Sequence, residues 1–380
     1  MQGKFKDDFS TTHGTFSEMF TYHKELASNS IWGRTSVNTL EVFPASLGMD
    51  VTSFPGMADN GITNAALEDC IENLGLVIKW SGEYFPLRIT AFKSLLDRAK
   101  IGGTALPKLS REDLAQTINA CLKLHSAAAL LLLREQKVSA VHSGDIKDYS
   151  ILPIDELLAV IGEKLEERFP GNEFKSAYSD HSYTCACWTF PAQAEELLSN
   201  YKKALDSIGR GALAKRFVPG IRFSTSDTGF SSAKVAGLIF GSEIPVRIGS
   251  VLEVDHRGQK KIENFANELD MLFSQFGDTI KKLEKLIEIT LEYPVNAMTA
   301  VCKKLSLPKK AALEAIEMFS VANGLAPATA HDVFMALQEI MFVLKTEKTP
   351  ESKLLVVEEN LSRALSIKWS DYDYAKAVSY

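Results

Sequence analysis

The last third of the chain, from Lys261 to Tyr380, carries a helical repeat of apolar residues throughout. Apolar side chains recur there every three or four positions, as they do on the buried face of an amphipathic helix. Prolines begin several of these segments, where their fixed φ angle and missing N–H are tolerated. The predicted helices are Lys261–Phe276, Asp278–Glu292, Pro294–Leu305, Pro308–Ala322, Thr329–Lys345 and Pro350–Trp369. The sequence therefore predicts an all-helical C-terminal domain over residues 261–380.

The middle of the chain, residues 61–260, alternates between short apolar runs and amphipathic segments. Short apolar runs bounded by turn residues predict strands, and closely spaced pairs of them predict hairpins. The predicted strands are Ala127–Leu133, Lys137–His142, Phe174–Tyr178, Ser182–Phe190, Arg216–Ser224, Ser232–Phe240 and Ile244–Val254. The predicted helices are one capped by Thr63, Leu87–Lys100, one capped by Ser110, Pro153–Phe169 and a segment from Pro191 to Ile208. We therefore predict an α+β fold, with a mixed or antiparallel sheet body and flanking helices.

The first sixty residues are rich in Ser, Thr, Asn and Gly and only weakly periodic. Pro44, Pro55 and Gly56 interrupt them. Val37–Phe43 is the one strand predicted here, and the remainder is expected to be extended or wrapped over a neighbouring surface. The sequence thus predicts a loosely patterned segment (1–60), an α+β body (61–260) and the helical domain (261–380).

Composition is typical of a globular protein, with 46% hydrophobic and 24% charged residues among 380. The five cysteines are scattered and odd in number, unlike the framework of a secreted disulfide-rich protein. No apolar stretch follows the N-terminal lysines as in a signal peptide, and the longest apolar run, Ala127–Leu133, is far too short to cross a bilayer. These features predict a cytoplasmic protein without a membrane partner.

Residues 202–261 form a basic stretch inside an acidic protein. Eleven lysines and arginines face five acids there, giving a net charge of +6, whereas the whole chain carries −6. Segregated positive charge is typical of a surface that meets a polyanion. The residues predicted to contact nucleic-acid phosphates are Arg216, Arg222, Lys234, Arg247 and Arg257.

This stretch contains two Arg-Phe pairs, in which a cation and an aromatic ring occupy adjacent positions. Successive side chains of a strand point to opposite faces. If Arg216–Ser224 is one regular strand, Arg216 and Arg222 share one face and Phe217 and Phe223 share the other. The phenylalanines are then predicted to lie in the core, which leaves phosphate contacts rather than base stacking to this stretch.

Three blocks of sequence bear on the protein's origin. The first runs from Leu132-Leu133-Arg134 through Val138–Ser143 to Tyr149, the second comprises Pro219-Gly220-Ile221 and Ser224–Ser232 (STSDTGFSS), and the third is Ala328–Leu337 (ATAHDVFMAL). In this order they resemble the phage/plasmid-like proteins, a family with a domain of unknown function found on prophages and plasmids. The resemblance covers most of residues 85–365. It implies a setting, mobile-element DNA in a host cytoplasm, rather than a reaction.

Candidate chemistry is sparse. His181, Cys185 and Cys187 share parity with Tyr183 and would project from one face of a strand as zinc ligands, but Cys-x-Cys lacks a second pair and buried cysteine is common. Ser224–Ser232 fits either an anion-binding nest or a hairpin turn, and the turn is favoured. His256 and His142 have no visible catalytic partner. The sequence therefore assigns no catalytic residue, metal ion or cofactor.

These observations favour a non-enzymatic mobile-element protein that binds nucleic acid, single-stranded DNA or RNA, through the basic region. The helical third is expected to supply scaffold or homo-oligomer contacts. One alternative is a protein-protein interaction module, such as an anti-defence or host-takeover factor that binds a host protein. Another is a metal-dependent hydrolase or nuclease.

Overall fold

A computed structural model describes residues 3–241 and 245–380. The strands are β1 (Ser10–His13), β2 (Ile31–Ser36), β3 (Glu41–Pro44), β4 (Leu76–Trp80), β5 (Glu83–Pro86), β6 (Ala128–Arg134), β7 (Lys137–Ser143), β8 (Glu173–Asp180), β9 (Thr184–Thr189), β10 (Val218–Thr225), β11 (Ala233–Phe240), β12 (Val246–Val254), β13 (Thr290–Leu291) and β14 (Ala328–Thr329). Every strand predicted in the middle of the chain is confirmed to within a few residues, although Ile244, the first residue of the last one, lies outside the described residues.

The helices are α1 (Phe16–Ser28), α2 (Asn64–Glu72), α3 (Ile89–Ala99), α4 (Arg111–Leu122), α5 (Ile154–Arg168), α6 (Ala194–Ser207), α7 (Gly211–Ala214), α8 (Ile262–Ile287), α9 (Pro294–Lys304), α10 (Lys309–Asn323), α11 (Ala330–Leu337), α12 (Glu339–Thr346) and α13 (Glu351–Ser362). Thr63 and Ser110 cap α2 and α4 as predicted, each accepting a backbone N–H in its first turn. The α+β fold and the helical C-terminal third are confirmed, and β13 and β14 add only a two-residue ladder there.

Six antiparallel strands form the main sheet, in the order β1-β8-β9-β10-β11-β12. Two three-stranded sheets, β2-β6-β7 and β3-β4-β5, lie earlier in the chain. On the main sheet, Phe223 is fully buried against Phe265 of α8, and Phe217 is also in the core. The predicted placement of the phenylalanines is confirmed, and Arg222 projects from the opposite face of β10.

The long helix α8 corrects the prediction of two helices separated at Gly277. Phe273, Phe276 and Ile280 continue one buried face across the glycine. An internal glycine costs a helix about 1 kcal/mol, whereas burying each of these side chains contributes about 1.5–3 kcal/mol. The helix therefore runs through Gly277 without interruption.

Two hydrophobic cores organise the chain differently from the predicted domains. The smaller core is built from residues between Val37 and Val141, and the larger one combines Met19 with residues from Leu152 to Trp369. The main sheet and the C-terminal helices therefore share one core, and residue 261 does not separate two packing units.

The first sixty residues are more ordered than their weak pattern predicts. They contain α1, which opens with a capping box between Thr15 and Glu18, and β1, which pairs with β8 at the edge of the main sheet. The predicted strand Val37–Phe43 is confirmed only from Glu41, where β3 begins, because a 3-10 turn occupies Val37–Thr39. Within the described residues, no helix is long and apolar enough to cross a membrane.

Candidate functional site

The five predicted phosphate-binding residues do not share one surface. Arg222, Lys234 and Arg247 line a cavity between the outer face of the main sheet and α13. Arg257 lines a separate, larger cleft. Arg216 is exposed ahead of β10 and borders neither. Residues that lie close together in sequence are therefore found at three different places in the structure.

Two of the cations in the smaller cavity are paired within the protein. Arg222 donates from Nη1 to Oε2 of Glu358 at 2.6 Å, and the Glu358 side chain is almost fully buried. Nζ of Lys234 lies 3.2 Å from Oε1 of Glu253, the residue directly across the β11–β12 ladder. The same Nζ lies 3.6 Å from Oε2 of Glu359. Phosphate contact by Arg222 and Lys234 stays a prediction, and it would require exchange of these carboxylates for phosphate.

The larger cleft has a volume of about 940 Å³ and lies between α3 and the connection from β10 to β11. This volume is within the range of small-molecule sites. Its floor is formed by side chains at the end of β7 and in the segments that follow β7 and β12, and its wall by the hydroxyl-rich turn at residues 226–232. The hydroxyl side chains lining it are Thr90, Ser94, Ser143, Ser182, Thr228, Ser231 and Ser232.

Stacked aromatic rings hold the floor of the cleft together. Tyr149 lies between His142 and His256, with ring centroids 3.7 and 5.2 Å away and the planes nearly parallel. Trp32 of β2 lies beside the stack, with its ring centroid 6.1 Å from those of both His142 and Tyr149. The histidines come from the end of β7 and the end of β12, so the stack joins the smaller unit to the main sheet.

The turn after β10 is anchored to this stack by its backbone. The carbonyl of Asp227 accepts hydrogen bonds from Nε2 of His142 at 2.8 Å and from the Tyr149 hydroxyl at 3.0 Å. The Asp227 carboxylate accepts from Nη2 of Arg134 at 2.6 Å, and both side chains are buried. Gly229 adopts φ +75°, and a Cβ there would lie 3.1 Å from His142.

Of the two interpretations of Ser224–Ser232, the hairpin turn is confirmed, since the segment joins the paired strands β10 and β11. The Ser226 hydroxyl accepts from the backbone N–H groups of Thr228 and Phe230. These two donors are used within the turn and do not face an anion.

Both histidines of the stack are neutral at physiological pH. Burial lowers the pKa of His142 to about 4, and burial also lowers the pKa of His256. A carbonyl only accepts, so His142 donates from Nε2 to Asp227, while His256 donates from Nδ1 to the carbonyl of Ser150 at 3.1 Å. This tautomer leaves Nε2 of His256 as an acceptor, and it has no hydrogen-bond partner among the described residues.

The rim of the cleft carries charge of both signs and one exposed ring. Its cations are Lys93, Arg98, Lys100 and Arg257, and its acids are Asp97, Asp148 and Asp255. The Phe230 side chain lies at the edge of the cleft and is 52% exposed. Cations, hydroxyls, a neutral imidazole acceptor and an exposed aromatic ring therefore surround one concave site.

The alternative metal site at His181, Cys185 and Cys187 is not assembled. His181 lies in the β8–β9 turn rather than on β9, and its Nε2 donates to the carbonyl of Lys6 at 2.8 Å. Burial lowers the pKa of His181 to about 2. Across residues 3–241 and 245–380, no group of three or more His, Cys, Asp or Glu side chains is placed to hold a metal ion.

Sequence reasoning missed the cleft because its parts lie far apart in the chain. His142 and His256 were recognisable only as isolated histidines, and Tyr149 only as part of the first resemblance block. The available signal was the hydroxyl-rich turn, whose glycine packs on His142.

Comparison with known proteins identifies no relative. No family model, no curated protein and no solved structure matches the chain. The resemblance to the phage/plasmid-like family therefore stays a prediction.

Proposed function

We propose that this protein binds a nucleotide in the larger cleft, either as a free molecule or as a unit of single-stranded nucleic acid. The observation that carries this proposal is the placement of Arg257 opposite Lys93, Arg98 and Lys100 around a hydroxyl-lined floor with an exposed ring at its edge. A mobile-element setting and a non-enzymatic role remain predictions from the sequence.

Charge at the rim supports binding of the phosphate. Four cations and three acids line the cleft, and only one of the predicted phosphate-binding residues, Arg257, is among them. Positive side chains that track a phosphate backbone supply affinity that falls with salt. A modest excess of one positive charge favours one or two phosphate contacts over an extended polyanion track.

The aromatic and polar groups support binding of the base and sugar. Exposed aromatic rings stack on bases irrespective of their identity, with a typical contribution of about 1–3 kcal/mol per base. Phe230 is the exposed ring of this cleft. The hydroxyls and Nε2 of His256 offer hydrogen bonds to a sugar or a base edge.

The proposal is tested by fluorescence anisotropy and calorimetry with AMP, a single-stranded DNA 12-mer, its RNA counterpart and duplex DNA, each at two salt concentrations. We expect saturable binding of AMP or of single strands, with duplex weaker. Phe230→Ala should weaken binding by about 1–3 kcal/mol. Arg257→Gln should reduce the salt slope by about one.

Arg216→Gln is the matched control, because Arg216 belongs to the same basic stretch and lies outside the cleft. Equal weakening by Arg216→Gln and Arg257→Gln would indicate diffuse electrostatic binding and contradict the cleft. Absence of binding to all four ligands at low salt would also overturn the proposal. AMP binding without strand binding would identify a free nucleotide as the ligand.

A second candidate, contact between copies of this chain, is favoured by one surface. On and just after α10, Val321 and Leu325 are 81% and 100% exposed, and Leu313 and Met318 lie nearby on the exposed side. Exposed apolar clusters mark contact sites more often than isolated residues do. Light scattering of the wild-type protein against Val321→Lys tests it: a dimer that the substitution dissociates supports the contact, and a wild-type monomer contradicts it.

A further inference from the structure

The smaller cavity, between β10–β12 and α13, differs chemically from the nucleotide cleft. It has a volume of about 340 Å³. Its floor is the outer face of the main sheet, with Arg222, Lys234 and Arg247, and α13 covers it with Glu358 and Glu359. The turn that carries Phe230 separates it from the larger cleft.

Arg247 is the unusual side chain of this cavity. It is only 5% exposed, yet neither its Nε nor its Nη2 has a hydrogen-bond partner among the described residues. A buried donor without a partner costs about 1–3 kcal/mol, and more when it is charged. Burial lowers the pKa of Arg247, and the carboxylates of Glu358 and Glu359 partly offset that effect. Proteins rarely bury a guanidinium without giving it an acceptor.

The charged side chains around Arg247 form ion pairs with one another and not with Arg247. Arg222 pairs with Glu358, and Lys234 lies 3.2 Å from Glu253. Glu359, which Lys234 also approaches, is paired with Arg363 at 3.2 Å. Within the described part of the chain, no carboxylate lies within the 4.0 Å ion-pair distance of Arg247. Three cations and three acids therefore line the cavity, and Arg247 is the cation that has no carboxylate partner among the described residues.

We propose that this cavity binds a small molecule bearing one carboxylate, with both carboxylate oxygens accepting from Nε and Nη2 of Arg247. The parallel donors on that edge of a guanidinium match the two oxygens of a carboxylate. This site takes a different class of ligand from the larger cleft, although Phe230 borders both.

The surroundings select a monoanion with an apolar body. A single negative charge would pair with Arg247, whereas a dianionic phosphate would add repulsion from Glu253, Glu358 and Glu359. The remaining lining includes Leu355, Val356 and Phe230, which offer apolar contact. An aromatic or aliphatic carboxylate therefore fits better than inorganic phosphate.

Calorimetric titration with benzoate, and with inorganic phosphate at matched ionic strength, tests the proposal. We expect saturable benzoate binding with a dissociation constant of about 1 mM or tighter, and phosphate binding at least about tenfold weaker. Arg247→Lys removes the paired donors and should weaken benzoate binding about tenfold or more. Arg216→Gln, outside the cavity, should leave it unchanged.

A second variant keeps the test decisive if Arg247→Lys fails to fold. Val356 lies at the mouth of the cavity and is 60% exposed, so Val356→Trp fills the opening without altering the core. It should abolish benzoate binding while circular dichroism stays unchanged. The proposal is overturned by absence of saturable benzoate binding to the wild-type protein, by equal phosphate affinity, or by unchanged benzoate affinity in a folded Arg247→Lys or Val356→Trp variant.

Discussion

Lys137 and Arg247 are both buried cations, but their surroundings differ. Lys137 of β7 is fully buried and pairs with two carboxylates, Asp69 of α2 and Asp7 at 2.9 Å. Arg247 of β12 is almost as buried and has no carboxylate within ion-pair distance among the described residues. Loss of a partner from a buried ion pair is strongly destabilising. The comparison indicates that the charge of Lys137 is compensated within the fold, whereas that of Arg247 is not compensated by any described carboxylate.

The network around Lys137 also explains how the N-terminal segment is held. Asp7 accepts from Nη1 of Arg88 at 3.3 Å and from the backbone N–H of Ile89 at 2.9 Å. Its own N–H donates to Asp69. One carboxylate thus joins the N-terminal segment to α3 and β7.

The largest expected change in stability comes from removing the carboxylate of Asp7 from this network. Asp7→Asn removes the charge shared by Arg88 and Lys137 and leaves both cations poorly compensated in the interior. The free energy of unfolding, measured with urea, should fall by about 3–5 kcal/mol. Asp8→Asn, at an exposed neighbour, should change it by less than about 0.5 kcal/mol. Similar values for the two variants would contradict a structural role for the network.

The next effect separates the buried ion pair of the smaller cavity from its partly exposed one. Arg222→Met leaves Glu358 buried without its partner, so the free energy of unfolding should fall by about 3 kcal/mol. Lys234→Met removes a partly exposed pair and should cost about 1 kcal/mol or less. If Arg222→Met were no worse than Lys234→Met, the Arg222–Glu358 pair would not be part of the folded core.

The histidine stack gives a pH-dependent effect. The pKa of His142 is about 4 in the folded protein and 6.5 in the unfolded chain. The unfolded state therefore takes up the proton first, and stability that is complete above pH 6.5 is lost as the pH falls toward 4. The slope reaches at most about 1.4 kcal/mol per pH unit.

His142→Gln isolates this contribution, because the amide still donates to the carbonyl of Asp227 and does not titrate. Urea unfolding between pH 7 and about pH 4 should show a shallower slope for the variant than for wild type. The other buried histidines contribute equally to both proteins. Parallel slopes would show that His142 has the same pKa in the folded and unfolded states, which would contradict its burial as a neutral ring.

The smallest effect on stability is expected at Arg247, the residue proposed to bind the carboxylate ligand. Arg247→Met replaces an uncompensated buried cation with an apolar side chain of similar length. The free energy of unfolding should stay within about 1 kcal/mol of wild type or rise. A decrease of about 3 kcal/mol would show that Arg247 is held by the protein itself, which would remove the contrast with Lys137.

Much of the fold was predictable because its signals are local. The hairpin β6–β7 and the capped helices α2 and α4 follow from a few neighbouring residues. The helix α1 was missed although its capping box, Thr15 and Glu18, is visible in the sequence. Its surrounding residues are polar, and its burial depends on contact with α5 and the main sheet.

The candidate sites were only partly predictable. Arg257 was predicted as a phosphate contact, which stays a prediction, and its cationic neighbours around the larger cleft lie more than 150 residues earlier in the chain. The basic stretch showed which charges exist and not which acids face them. Glu358, which pairs with Arg222, is 136 residues away in sequence.

The sequence by itself determined the α+β class, the hairpin at Ser224–Ser232 and the burial of Phe217 and Phe223. These depend on periodicity and turn chemistry, which act over a few residues. Only the tertiary structure decided that Arg222 is neutralised, that Arg247 is not, and that His142 and His256 enclose Tyr149. Electrostatic compensation and burial are set by distances between segments, and the order of residues along the chain does not specify those distances.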